Sequence, residues 1–207
     1  SFLLLVFILE LMVTFSLPVN FGDEGTHASI VRYMVRNIEY PVWNPFGFTN
    51  PKFIKYSWNR PPLLHLLTSG FAIVFGNIDF WVRFLSPFVS FLTGLMIYLL
   101  MRKVYNSEMG FFSSIITITT PSLVTYAVLF YTDVLLTFFV SFSILSFILA
   151  RKKNEKKYFI LSAVTGSLAF LSKLPGFAIY FFFTILALYD IILKRKFKII
   201  KQYSLIL

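Results

Sequence analysis

Two adjacent carboxylates, Asp23 and Glu24, follow Gly22 at the head of a stretch with helical spacing. A carboxylate held at a membrane boundary can take a proton from an acceptor hydroxyl while reaching a lipid-borne substrate. The same acids can simply cap a helix, favoured by its dipole. Downstream come Lys52, Lys55, Tyr56, Trp58 and Arg60, cations and aromatics suited to a phosphate head with an adjoining sugar. Trp, Tyr and Lys also anchor proteins at the membrane interface, so both uses stay open. Lys173 and Arg83 raise the same choice, between a snorkelling cation and a contact to a lipid phosphate. Asp133 stands at the end of an apolar run, where solvation alone explains an acid. His27 lies four residues after Asp23, on the same helical face. Two ligands do not make a metal site, so His27 is expected to be solvated or hydrogen-bonded, and His65 likewise.

The elements that must position these groups follow from composition and spacing. Of 207 residues, 57% are hydrophobic, 20% aromatic and only 14% charged, with a mean hydropathy of +0.77. Soluble domains carry roughly a quarter charged residues, so a water-soluble fold is excluded and an all-α polytopic membrane protein is expected. The absence of cysteine removes disulfides, thiolate metal sites and cysteine nucleophiles. A net charge of +10 would point to nucleic acid on a soluble protein. Here the basic residues cluster between apolar runs, which is a topology signal and argues against a nucleic-acid partner.

Six runs qualify as spans: Phe2–Leu17, Val82–Met101, Met109–Phe130, Val134–Ala150, Tyr158–Ser172 and Pro175–Leu193. Three short loops hold Arg102 and Lys103; Arg151, Lys152, Lys153, Lys156 and Lys157; and Lys194, Arg195, Lys196, Lys198 and Lys201. Short basic loops stay in the cytoplasm, which turns Asp133 and Lys173 outward. Pro61–Gly76 is weakened as a span by its prolines, His65 and Gly70, and is expected along the outer interface. Residues 18–80 then form one long external loop. Within it the Asp23–Asn37 spacing predicts a helix with an apolar stripe of Ile30, Val31, Met34 and Ile38, and with Arg32 and Arg36 on another face. Glu10, inside the first run, is expected to face other helices, because a carboxylate at bilayer depth is costly. Asp190 is expected to pair with Lys194 at the cytoplasmic end. The start beside an apolar run, without a basic segment before it, and the end at SLIL read as the N-terminal part of a longer protein.

The order of these features resembles a known family. An Asp-Glu pair opens an outer-face helix after the first span, and Arg60-Pro61-Pro62-Leu63 closes the loop. Arg83 with a Ser-Pro-containing span, Tyr131-Thr132-Asp133 and LAFLSKLPG at residues 168–176 follow. The pattern is similar to GT-C glycosyltransferases of the dolichyl-phosphate-mannose protein mannosyltransferase and aminoarabinose transferase type, over nearly the whole chain. The resemblance implies an inverting transfer from a polyprenyl (dolichyl or undecaprenyl) phosphate sugar to a protein, lipid or glycan acceptor. Asp23 would be the catalytic base, Glu24 its support, and Arg60 would lie near the lipid phosphate, with Lys55, Lys173 and Arg83 as further candidates. Asp133 would belong to a second external loop with an acid facing the active site. Juxtamembrane helices in the first external loop, further spans and often a soluble outer domain are also implied. In the aminoarabinose branch a Glu before the basic-Pro-Pro-Leu motif helps bind a metal. Asn59 stands there in this chain and Arg60 replaces that branch's Lys, so no metal ligand carries over, and a divalent metal remains open.

Two other classes fit a membrane protein of this kind. A transporter or flippase for lipid-linked sugars would show an internal repeat and midplane polar groups; no repeat is evident and, Glu10 aside, the charges gather at run ends. A non-catalytic membrane subunit would have no need for the intact Asp-Glu pair. Abundant Phe, Ile, Lys, Asn and Tyr suggest an AT-rich genome and hence an archaeal or bacterial cell membrane.

Overall fold

The computed structural model describes residues 2–19, 22–39 and 61–192, apart from the side chains of residues 190 and 191. Among the described residues every regular element is helical: α1 (Phe2–Ser16), α2 (Asp23–Asn37), α3 (Leu63–Phe75), α4 (Ile78–Val104), α5 (Ser107–Thr119), α6 (Pro121–Val128), α7 (Thr132–Lys153), α8 (Lys156–Ser172) and α9 (Ala178–Ile192), with a 3-10 turn at Leu174–Phe177 before α9. This is an all-α membrane protein, as the composition requires.

The first helix is polar inside and apolar outside. On α1 the buried residues are Glu10 and Thr14, whereas Leu4, Leu5, Ile8, Leu9, Met12 and Val13 are exposed. Glu10 faces α4, where the Ser90 hydroxyl donates to it at 3.1 Å, as expected for a carboxylate turned away from lipid. Small residues let the backbones approach. A Cβ on Gly94 of α4 would lie 2.7 Å from Ile118 and 2.9 Å from Leu3, so α1, α4 and α5 meet there.

α4 (27 residues) and α7 (22 residues) are each long and apolar enough to cross a bilayer alone. The run Met109–Phe130, expected as one span, is instead two helices, α5 and α6, bent by 61°. Pro121 has no N–H to continue the ladder, and it pushes Thr120 into an extended conformation (φ −61°, ψ 126°). Counted together they make a third candidate span, while α1, α3 and the apolar stretch Leu174–Tyr189 are shorter. Six spans are thus more than length and composition support among the described residues. α3, at 13 residues, rises about 20 Å, short of a hydrocarbon core of ~30 Å.

The direction of the bundle is set by its ends. The Lys152 ammonium donates to the Lys103 carbonyl at 2.6 Å, so the basic C-terminal ends of α4 and α7 lie together. The head of α7, with Asp133, is at the other end. Around that head, Ala28, Val31, Leu64, Val82, Leu85, Ala127, Phe130 and Val134 form one core, joining α2, α3, α4, α6 and α7. A second core of Phe147, Ala150, Phe159, Ile179, Phe183 and Ala187 joins α7, α8 and α9.

Candidate functional site

α2 carries the acid pair. The chain enters it through Gly22, whose φ of 104° suits glycine, and leaves it at Ile38, a left-handed residue with φ 56°. Ile30, Val31 and Met34 of the expected stripe are buried, but Ile38 is 82% exposed. The left-handed cap takes it off the helical register, so the stripe ends one turn earlier than the spacing suggests. Arg32, on the other face, pairs with Asp79 of α4 at 2.7 Å.

The two acids point to different environments. Asp23 is exposed in the first turn, where the dipole favours its charge. Glu24 is 6% exposed, and its Oε1 accepts the backbone N–H of Phe130 at 3.2 Å. That N–H is available because α6 has ended and α7 has not begun: Leu129 and Tyr131 are both extended. A buried amide without a helical partner thus meets a buried carboxylate, and each satisfies the other. Glu24 fastens α2 to the α6–α7 junction; Asp23, one residue earlier, faces outward from the same helix end.

One turn further, His27 meets His65 of α3. His27 Nδ1 and His65 Nε2 lie 2.7 Å apart, and the rings stack with centroids at 4.9 Å. They are 5% and 0% exposed. The His27 ring also meets the rings of Phe130 and Tyr131 edge-on, at 6.3 Å and 6.2 Å. Both histidines of the chain are therefore in one contact, a pairing hidden from the sequence by a separation of 38 residues. The available signal was positional: each histidine follows a helix start by a few residues, so both sit near the same ends. The described residues contain no group of three or more His, Cys, Asp or Glu able to hold a metal. A separation of 2.7 Å is a hydrogen bond; two nitrogens on one tetrahedral metal at about 2.0–2.1 Å would stand further apart. The imidazole pair does not fit a metal centre.

Beyond Tyr131, Asp133 accepts from the Lys173 ammonium at 2.6 Å. The pair is partly exposed, at 24% for Asp133 and 39% for Lys173. Lys173 reaches it because α8 stops at Ser172 and the Leu174–Phe177 turn folds back against α8. That return needs Gly176, whose Cβ would stand 2.4 Å from the Ala169 carbonyl. The structure thus gathers Glu24, His27, Tyr131, Asp133 and Lys173 around the head of α7, with Asp23 at its edge.

Arg83 is engaged elsewhere. Its Nη1 donates to the carbonyl of Thr14 at 2.7 Å and to that of Leu17, closing the C-terminal end of α1. Lys55 and Arg60 lie outside the described residues, as do Lys52, Tyr56, Trp58 and Asn59; so do the side chain of Asp190 and all of Lys194.

Residues 59–207 match the family described as dolichyl-phosphate-mannose-protein mannosyltransferase. The chain is 27% identical over 176 residues to an undecaprenyl phosphate-alpha-4-amino-4-deoxy-L-arabinose arabinosyl transferase of Wigglesworthia glossinidia brevipalpis, covering 79% of this chain and 30% of the relative. It is 24% identical over 129 residues to a lipid A galacturonosyltransferase of Rhizobium johnstonii, covering 59% of this chain and 27% of that protein. The chain therefore spans less than a third of the length of these curated relatives. No solved structure matches it significantly.

Proposed function

The chain belongs to the dolichyl-phosphate-mannose-protein mannosyltransferase family, and from that premise we propose that it forms the catalytic head of a membrane glycosyltransferase. The enzyme moves a sugar from a polyprenyl phosphate to an acceptor hydroxyl at the outer face of the cell membrane, with inversion. Asp23 takes the acceptor proton as the hydroxyl oxygen attacks the anomeric carbon from the face opposite the phosphate. The bond from that carbon to the phosphate oxygen breaks, and the polyprenyl phosphate leaves with the electron pair. Arg60 and Lys55 neutralise the departing phosphate, in a lipid-shielded site where such charge compensation is the main electrostatic contribution. Lys173 joins them when the phosphate displaces Asp133 from its ammonium. Glu24 holds the α2 head in register.

One observation carries this reading: the exposed acid of α2 stands on a helix end that Glu24 pins to the α6–α7 junction at Phe130, three residues before Asp133 of the Asp133–Lys173 pair. The outward orientation rests on the basic turns at the opposite end. The test is Asp23→Asn in the full-length protein, assayed in membranes with a polyprenyl-phosphate sugar donor. Transfer should be abolished, and turnover like the unaltered protein would remove Asp23 from its role. A lipid-linked sugar transporter is the rival reading; a cysteine scan finding water access from both faces along one path would favour it.

A further inference from the structure

The histidine contact is not used by the chemistry above, and its geometry makes a specific demand. A hydrogen bond of 2.7 Å between His27 Nδ1 and His65 Nε2 has one proton between the two nitrogens. If every ring nitrogen carries a proton, two N–H groups face each other and the bond cannot persist. The same His27 ring packs on Phe130 and Tyr131, and Phe130 supplies the amide that Glu24 accepts. The pair therefore clamps α2 to α3 one turn from the acids, and presses the α6–α7 junction toward Glu24.

The geometry points to His27 and His65 as a positioning pair, an acid-sensitive latch that sets the α2 carboxylates for transfer. This rests on the transferase reading of Asp23. Among the described residues, charged or titratable groups of these elements toward the head of the bundle include Asp23, Glu24, Arg32, Tyr33 and Arg36 of α2, Asp79 and Arg83 of α4, Tyr126 of α6, Tyr131 and Asp133 at the head of α7, and Lys173 after α8. Asp79 is held by Arg32, Arg83 by the end of α1, and Asp133 by Lys173. The imidazoles are the groups here that ordinarily titrate between pH 5 and 8.

The two bonding nitrogens suggest the variants. Gln places an amide nitrogen where Nε2 stands, so His65→Gln keeps a donor for His27 without titrating; Asn does the same for Nδ1 in His27→Asn. In the full-length protein, His65→Leu should lower kcat on the order of 10- to 100-fold, with the donor KM within about twofold. His65→Gln and His27→Asn should restore most of kcat, and in them the acid-side fall of the unaltered enzyme should vanish. Unaltered kcat in His65→Leu overturns the proposal, as does equal impairment of the Leu and Gln variants, or an acid limb that survives in both substituted proteins. Melting temperature supplies a readout free of substrate: from pH 8 to 5.5 the unaltered protein should lose stability relative to His65→Gln. If that difference appears but no sugar is transferred, the latch stands and the transferase reading fails; if the difference is independent of pH, the latch is overturned.

Discussion

The head of the bundle and its α7–α8–α9 flank use buried polar groups for different ends. In the flank, the Ser143 hydroxyl donates to the Ser162 carbonyl at 2.8 Å and the Ser162 hydroxyl returns to the Ser143 carbonyl at 3.0 Å. This is a closed, neutral and reciprocal clasp between two helices. Around it Phe147 packs on Phe159 and Phe183, with ring centroids at 6.3 Å and 4.8 Å. In the head, the buried polar groups include a carboxylate and two imidazoles beside hydroxyls, and the carboxylate meets a chain break. Neutral hydroxyls fasten helices at small cost in an apolar medium. Ionisable groups cost more to bury and are retained where their protons matter.

Four substitutions probe that contrast. The largest effect on chemistry is expected at the head: Asp23→Asn should reduce transfer by at least about 100-fold with only a small change in melting temperature, since Asp23 is exposed. A parallel loss of folded protein would instead make Asp23 structural. Next, Gly176→Ala joins the two regions, because the Ala169 backbone occupies the space of its Cβ. Overpacking of this kind costs roughly 1–3 kcal/mol; the turn should shift and Lys173 should leave Asp133, read as a lower melting temperature together with a changed donor KM. Ser162→Ala in the flank should cost about 0.6 kcal/mol, typical of hydrogen bonds between membrane helices, and leave transfer rates intact. A large kinetic effect there would dissolve the distinction between fastening and function. Lys173→Gln should change stability by at most ~1 kcal/mol, as partly exposed ion pairs do, yet raise the donor KM.

The smallest effect is expected at the basic end. Glu155, partly exposed in the α7–α8 turn, is held below the usual carboxylate range by its hydrogen bond from Lys157, 2.6 Å away. A lowered folded-state value means that its contribution is present above the unfolded value and fades as the pH falls through the folded one. Solvent screening makes that contribution slight, so Glu155→Gln should leave the acid side of the melting curve indistinguishable. A visible change there would mean that the turn is less solvated than its exposure indicates.

Several parts of the site were legible in the chain. The Asp-Glu pair after Gly22, the α2 helix and the burial of Glu10 all follow from local pattern and from the cost of charge in lipid. The bend at Thr120–Pro121 was also written locally, yet the apolar run masked it, because hydropathy averages over a proline that breaks the ladder. Arg83 had the composition of a phosphate ligand; its engagement with α1 depends on a helix end 66 residues away. The division of labour between Asp23 and Glu24 was illegible, since it depends on an open amide at Phe130, 106 residues later.

The amino-acid order alone determined that this protein is helical and membrane-embedded, that its cations gather at run ends and that two acids stand at a helix start. Those properties arise from transfer free energies and from interactions within one turn. Tertiary structure alone decided which acid is buried, that the two histidine rings meet, and that Lys173 meets Asp133. Each of these joins groups on different helices over distances of a few ångströms, where the outcome is set by how the backbones pack and by which polar groups the chain breaks leave open.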